Sequence, residues 1–417
     1  MISYHTCPLA TLGGKDTGGM NVYVRDLTRQ LGQMGIQVDV FTRSQDEHVP
    51  HVLHDLGYGN RVVHIPAGPE VPLPKQELPA YLSQFVDGIR AFATSKGVTY
   101  DIIHSHYWMS CLAARALKAQ WNIPVVHMFH TLGLMKQRVA RQLDEVEGDY
   151  RLNGERDALR IADRIIAATP AELAQLQWLY QADVGKIVVI PPGVDLTHFY
   201  PIPADEAKEF IGVPPCENVL LFVGRIEPLK GIDNLIEAIA IMRQKKVFVC
   251  LSVIGGDPDV SQETISSEMV RLQSLRERYG LQDLIAFLGR RSQDTLPYYY
   301  SAAVAVVVPS HYESFGMVAL EAMACGTPVV ASQVGGLAFL VQDGETGFTV
   351  PVDEPAALAD RLSTLVQDRS LRERMGGQAA TFAHEYGWEK IAERIVSLYE
   401  ETIKFKSEAP NLTSAPH

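Results

Sequence analysis

Cysteine is scarce in this 417-residue chain: Cys7, Cys111, Cys216, Cys250 and Cys325 are odd in number and widely scattered. No two have CxxC spacing, so neither a disulfide framework nor a zinc site is expected, and free thiols in a reducing compartment are the simple reading. No apolar run reaches the length of about 18 residues that a membrane-spanning helix needs. The start MISYHTCPLA also lacks a basic segment followed by an apolar one, so the chain reads as soluble and cytoplasmic. Positive charge is in deficit, with 37 Lys and Arg against 49 Asp and Glu, a net of −12. Such a balance offers no footprint for nucleic acid or anionic lipid, and any anionic ligand must be held by local cations and backbone dipoles. A composition of 47% hydrophobic and 21% charged residues excludes a disordered chain and a coiled coil. The length exceeds one ordinary domain and leaves material for two buried cores.

What is present is alternation. Short apolar or β-branched runs at 36–42, 61–67, 101–106, 124–130, 164–169 and 186–193 are separated by segments of helical spacing. The pattern then restarts, with strand-like runs at 219–225, 247–256, 285–289, 304–310, 328–332 and 347–351. Nearly continuous apolar strands between helices predict parallel sheets covered on both faces. Two such series predict an α/β chain of two doubly wound domains. The proline-rich stretch PPGVDLTHFYPIP marks the seam, placing one domain over 1–192 and the other over 193–386. A last helical pattern covers 387–405, and the tail 406–417 has no apolar period and is expected to be disordered. Only MISYH precedes the loop beginning at Thr6, so either the first strand is short or the chain begins a few residues late.

Several motifs carry candidate chemistry. GGKDTGGMNVYV (13–24) links the first strand to a helix, where glycines permit close approach and the helix N-terminus favours anions. It is neither GxGxxG nor GxxxxGK[ST]. In GRIEPLKG (224–231), Arg225 and Lys230 follow a strand, at the sheet edge where ligands bind, and could neutralise a diphosphate. HYESFGMVALEAMACGTPVV (311–330) reads as a buried helix starting at Ser310 or Glu313 and ending at Gly326-Thr327-Pro328, so Glu313 and Glu321 could share a face. A carboxylate buried there must find a donor. Paired carboxylates suit glycoside hydrolysis or the holding of sugar hydroxyls. His5, His104, His106, His127 and His130 fall near strand ends; buried hydrogen-bonded rings are the default, and a zinc cluster is the alternative. Asp257 and Asp259 form a DxD, a pattern that can hold a nucleotide-bound metal but is weak by itself.

The ordered set GGMNVYV, HSHYW, HTL, IPPGVD, GRIEPLKG, ESFGMVALEAMACGTPVV and DGETGF resembles the retaining GT-B glycosyltransferases of family four, over roughly residues 5 to 400. The resemblance implies two Rossmann-like domains facing a central cleft, with the C-terminal helix crossing back onto the first. It implies that Arg225 and Lys230 clamp the diphosphate of a nucleotide-sugar donor, and that Glu321 accepts from ribose hydroxyls. Glu313 and the backbone N–H groups of Ser314, Phe315 and Gly316 would hold the transferred sugar, Arg290 or Arg291 would lie by the base, and Gly19 by the phosphates. His130 matches the family's histidine near the anomeric centre. Cationic side chains replace a metal, so no cofactor is implied and Asp257 and Asp259 need not be ligands.

Within the family, GGMNVYV, HSHYWMS and HTL are most similar to the branch that glycosylates inositol phosphate, with sucrose-phosphate synthases more distant. That likeness implies that Gly18, Asn21, Lys75, Tyr107, Thr131 and Arg151 bind a phosphorylated polyol or sugar acceptor. Two cations and two hydroxyls suit a phosphate dianion. UDP is the favoured nucleotide. Transfer to fructose 6-phosphate, a nucleotide-sugar epimerase and a non-catalytic nucleotide-sugar-binding protein are the alternatives, and self-association is left open.

Overall fold

A computed structural model describes residues 1–11, 17–140, 148–212, 216–256 and 266–408. Asp257, Asp259, the beginning of the glycine loop (13–16) and the end of the tail (409–417) lie outside the described residues.

The first half of the chain contributes strands β1 (Asp39–Arg43), β2 (Val52–Leu53), β3 (Arg61–Ile65), β4 (Ile103–His106), β5 (Val125–Met128), β6 (Arg164–Ala167) and β7 (Ile187–Val189). They form the orders β1-β3-β2 and β4-β5-β6-β7. Ile2 joins the two groups, bridging in parallel to Phe41 of β1 and to Ser105 of β4, so the short first strand is a single bridging residue. All twelve expected strands are present. β2, antiparallel to β3 and two residues long, was not foreseen because it is too short to show a period.

The second half contributes β8 (Val219–Val223), β9 (Cys250–Ile254), β10 (Ile285–Gly289), β11 (Ala305–Val308), β12 (Val329–Ser332) and β13 (Gly347–Val350). Their order is β10-β9-β8-β11-β12-β13, parallel throughout. Chain direction through the sheet reverses between β8 and β11. The loops leaving these neighbours therefore diverge and open a crevice at their carboxyl ends. In the first half the equivalent point is Ile2, flanked by β1 and β4, beneath the loop that leads to the helix Gly19–Gln33.

The helix Trp388–Glu408 returns to the first half. Its buried residues Trp388, Ile391, Ala392, Ile395, Leu398, Tyr399 and Thr402 recur at helical spacing, and Arg394 donates to the Val189 carbonyl at 2.7 Å. The expected tail is thus helical through Glu408. At the seam, Val194 bridges Gly387: its N–H donates to the Tyr386 carbonyl at 2.8 Å, and the Trp388 N–H donates back at 3.2 Å. The two crossings between the halves therefore run side by side.

Two further expectations are corrected. Cys216 and Cys250 form a disulfide, closing 34 residues of sequence separation. Spacing could not reveal it, because the pair is made by the parallel alignment of β8 with β9, in which the Cys250 N–H donates to the Asn218 carbonyl. The helix expected from Ser310 or Glu313 begins only at Met317. Gly316 sits at φ 107°, a left-handed conformation that stops the helix there, and a side chain at this position would meet Leu337 at 2.5 Å. The segment before it is held open by tertiary backbone bonds, His311 N–H to the Leu229 carbonyl at 2.9 Å and Gly336 N–H to the Glu313 carbonyl at 3.0 Å. Glu313 is consequently a loop residue and does not share a helix face with Glu321.

Candidate active site

The carboxyl ends of both sheets face one cavity of about 300 Å³. From the first half it is lined by Gly18, Gly19, Asn21, Lys75, Tyr107, His130 and Thr131. From the second half come Arg225, Lys230, Arg290, Arg291, Glu313, Ser314, Phe315, Gly316 and Glu321. Among the donor- and acceptor-site residues that the family resemblance implies, Arg151 alone is not in this lining.

The second wall is cationic at the switch point. Lys230 lies in the tight turn Pro228–Lys230 after β8, and its Nζ meets Glu313 Oε2 from the β11 loop at 2.5 Å. Arg225 pairs with Glu227 at 2.7 Å and reaches toward the glycine loop, its Nε 3.9 Å from where a side chain at Gly18 would start. Arg290 and Arg291 follow β10, and Arg291 Nε donates to Tyr299 Oη at 2.9 Å. Glu321 is buried on the helix Met317–Ala324 and has the donor it requires, the Tyr300 hydroxyl at 2.7 Å. Burial still pushes the Glu321 carboxyl up to about 7.

On the first wall, β4 and β5 end in histidines that pack as a cluster. His104 Nδ1 meets Tyr399 Oη at 2.6 Å, His127 Nδ1 meets Ser105 Oγ at 2.9 Å, and His106 Nδ1 meets His130 Nε2 at 3.1 Å. Burial lowers them all, His127 and His130 to about 3, so the rings are neutral near pH 7. Among the described residues no group of three or more His, Cys, Asp or Glu is arranged to hold a metal, so the histidines form no zinc cluster. His130 has φ 64° and Tyr107 has φ 71°, left-handed conformations for bulky residues of the kind that collects at functional sites. Across the cleft, Ser314 Oγ donates to the His130 carbonyl at 2.6 Å and ties the two walls together.

Arg151 lies fully buried beneath Thr131 and Tyr107 of the first wall. Its Nε donates to Glu155 at 2.8 Å and its NH2 group to the Thr131 carbonyl and hydroxyl at 3.0 Å each. Its guanidinium stacks on the Tyr107 ring at 5.2 Å, and Lys75 Nζ lies 5.6 Å from the same ring. Arg151 thus supports Thr131 and Tyr107 from below. Sequence reasoning missed Lys136 and Tyr23, both in the lining. Lys136 sits on the helix Gly133–Val139, just after HTL, and no spacing rule pointed to it. Tyr23 stands inside GGMNVYV and is buried in the apolar core as well as lining the cavity.

Two doubly wound sheets facing a cleft, with a helix returning across it and cations at the switch point of the second sheet, define a glycosyltransferase of the GT-B class. The Glycosyltransferase Family 4 profile matches residues 17–198, and the Glycosyl transferases group 1 profile matches residues 204–382. A D-inositol 3-phosphate glycosyltransferase of Actinosynnema mirum is 40% identical over 404 residues, 96% of each chain. The enzyme of that description from Kribbella flavida is 41% identical, covering 96% of this chain and 94% of the relative. Among solved structures, a sucrose-phosphate synthase from Thermosynechococcus elongatus superposes with a TM-score of 0.88 at 35% identity, covering 97% of this chain and 98% of the other. The chain belongs to the group 1, family 4 glycosyltransferases. Among the described residues no helix is long and apolar enough to cross a membrane.

Proposed function

We propose that this glycosyltransferase moves a hexose or N-acetylhexosamine from a nucleoside-diphosphate sugar, with UDP the nucleotide we favour, to a phosphorylated polyol or sugar such as inositol phosphate. The observation that carries this reading is one cavity with two cationic ends. Arg225 and Lys230 stand on one wall, and Lys75, Tyr107, Thr131 and Lys136 stand on the other. Division of labour follows, with acceptor binding assigned to residues 1–192 and donor binding to 193–386.

Arg225 and Lys230 neutralise the diphosphate, and they matter most as negative charge develops on the leaving phosphate, so they act on the transition state more than on the bound donor. Glu313 aims Lys230 through their ion pair and accepts from the sugar. Glu321 accepts from the ribose hydroxyls while Tyr300 occupies its other oxygen. Configuration is retained: the bond from the anomeric carbon to phosphate oxygen breaks, the acceptor oxygen bonds on the same face, and its proton passes to the departing phosphate. Two cations in the lining supply positive charge of the kind a metal would bring to a diphosphate, and we assign the reaction no metal or other cofactor.

Transfer of glucose to fructose 6-phosphate is the second reading, favoured by the likeness to the sucrose-phosphate synthase structure. Nucleotide release from a panel of UDP-, ADP- and GDP-sugars, each with inositol phosphate or fructose 6-phosphate and with EDTA present, separates the two. We expect turnover with a UDP-sugar and inositol phosphate that survives EDTA. Turnover only with fructose 6-phosphate establishes the second reading. In the same assay Lys230→Ala should lose at least about 100-fold in kcat, as removal of a charge-stabilising donor does; wild-type kcat would refute the donor assignment.

A further inference from the structure

His130 meets the cavity, yet its ring is held from behind. His106 ends β4 and His130 follows β5, strands that pair with His106 opposite Met128. This register delivers His106 Nδ1 to 3.1 Å from His130 Nε2. The pair is caged: the Tyr23 ring stands edge-on to both, with centroids at 5.7 and 5.1 Å. The His104 ring lies 4.2 Å from that of His106, and His104 is itself fastened to Tyr399 on the returning helix. The left-handed backbone of His130, with its carbonyl bonded to Ser314, leaves the side chain little freedom.

Two facing neutral imidazoles make a hydrogen bond only if one donates. His106 Nε2 is buried without a partner. An orphaned buried N–H is rarer than an under-used acceptor. The proton of His106 therefore belongs on Nδ1, where it is used, and His130 Nε2 accepts it. A neutral imidazole that accepts through Nε2 carries its own proton on Nδ1.

We propose that His106 is a positioning residue which sets the rotamer and tautomer of His130, so that His130 presents an Nδ1–H donor to an oxygen of the transferred sugar. This rests on the proposed transfer from a nucleotide sugar, with His130 beside the anomeric centre as the family resemblance implies, and it assigns the ring the task of orienting the sugar.

Long-range nitrogen–proton NMR on protein labelled with 15N-histidine, assigned by single-histidine variants, reads the tautomer directly. The His130 pattern should be that of an Nδ1–H imidazole in wild type, and should become mixed or inverted in His106→Leu. His106→Asn, whose amide can donate from nearly the same place, should restore it. Steady-state kinetics should follow. His106→Leu should lose about 10- to 100-fold in kcat, as small misplacements of a reacting group do, with donor and acceptor KM within about twofold, and His106→Asn should recover most of the loss. A His130 that carries its proton on Nε2 in wild type, or a pattern unchanged in His106→Leu, overturns the proposal. Wild-type kcat in His130→Ala would instead overturn the sugar contact, with the nitrogen pattern still deciding the role of His106. Should His106→Leu fail to fold, the Asn variant carries both measurements.

Discussion

At the scale of single residues, burial decides what each polar group can do. Arg151 was expected on the acceptor phosphate, but it is buried in an ion pair with Glu155, which also accepts from the Gly133 N–H and the Tyr180 hydroxyl. Breaking such a pair strands a buried carboxylate, which costs about 3–5 kcal/mol. Arg151→Ala should therefore lower stability by that amount in denaturant titration and raise the acceptor KM through a misplaced Thr131; an unchanged midpoint would contradict the buried geometry. Glu172 is a second case. It accepts from the Ala168 N–H at 2.7 Å, and burial raises its carboxyl from 4.5 to about 7. A raised folded-state value means that its contribution is fully present below about pH 4.5 and is lost as pH rises through about 7. Glu172→Gln keeps an acceptor and escapes that loss. Its stability relative to wild type should improve by about 2–3 kcal/mol from pH 5 to pH 8, measured by urea unfolding at both. A pH-independent difference would refute this.

At the scale of elements, strand ends do the work and strand starts hold the frame. Lys230 and Glu313 leave the carboxyl ends of β8 and β11, whereas Cys216 and Cys250 stand at the opposite ends of β8 and β9. A crosslink across a 34-residue separation stabilises by about 3–4 kcal/mol in the chain-entropy account. Cys216→Ser should lose that much stability in guanidinium titration and keep its kcat, since neither cysteine lines the cavity and both stand at the strand ends away from it. A kcat reduced tenfold at temperatures where the variant is folded would show coupling to the site. The segment before Met317 makes the same point from the other side. Of its residues only Glu313 favours a helix strongly, and tertiary backbone bonds and the left-handed Gly316 keep it open and aimed into the cleft.

At the scale of the whole molecule, the cleft requires its two walls in contact. Tyr23, Met128, Phe315, Met323 and Trp388 belong to one apolar cluster that joins both halves. The Ser314–His130 bond closes the polar side of the same contact. Removing that hydroxyl leaves a carbonyl short of a donor and loosens the contact between the walls, a loss of about 1–1.5 kcal/mol. Ser314→Ala should lower kcat/KM for the donor about tenfold, with kcat and KM both moving, while thermal unfolding shifts little. Kinetics equal to wild type would mean that the walls meet without it. Net charge acts on this scale too. The chain carries a net charge of −12, yet folding gathers the cations at positions 75, 136, 225 and 230 into the lining of one cavity.

Much of this was legible in the linear chain. The twelve strands could be read because a parallel sheet buried on both faces demands continuous apolar runs, and the restart near Val219 followed from the same demand repeated. The motifs could be read because a glycosyltransferase cleft uses the same residue types at the same strand ends. The remainder depended on contacts between distant segments, to which local patterning is blind. Only the tertiary structure paired Cys216 with Cys250, moved Glu313 off the helix of Glu321, sank Arg151 beneath Thr131, brought Lys136 into the lining and set His106 behind His130. Periodicity reports which face of an element is buried, whereas a hydrogen bond between two strand ends is set by sheet register. The sequence determined the class of enzyme and the ends of the sheets where its chemistry lies; register and the meeting of two walls decided which side chains touch there.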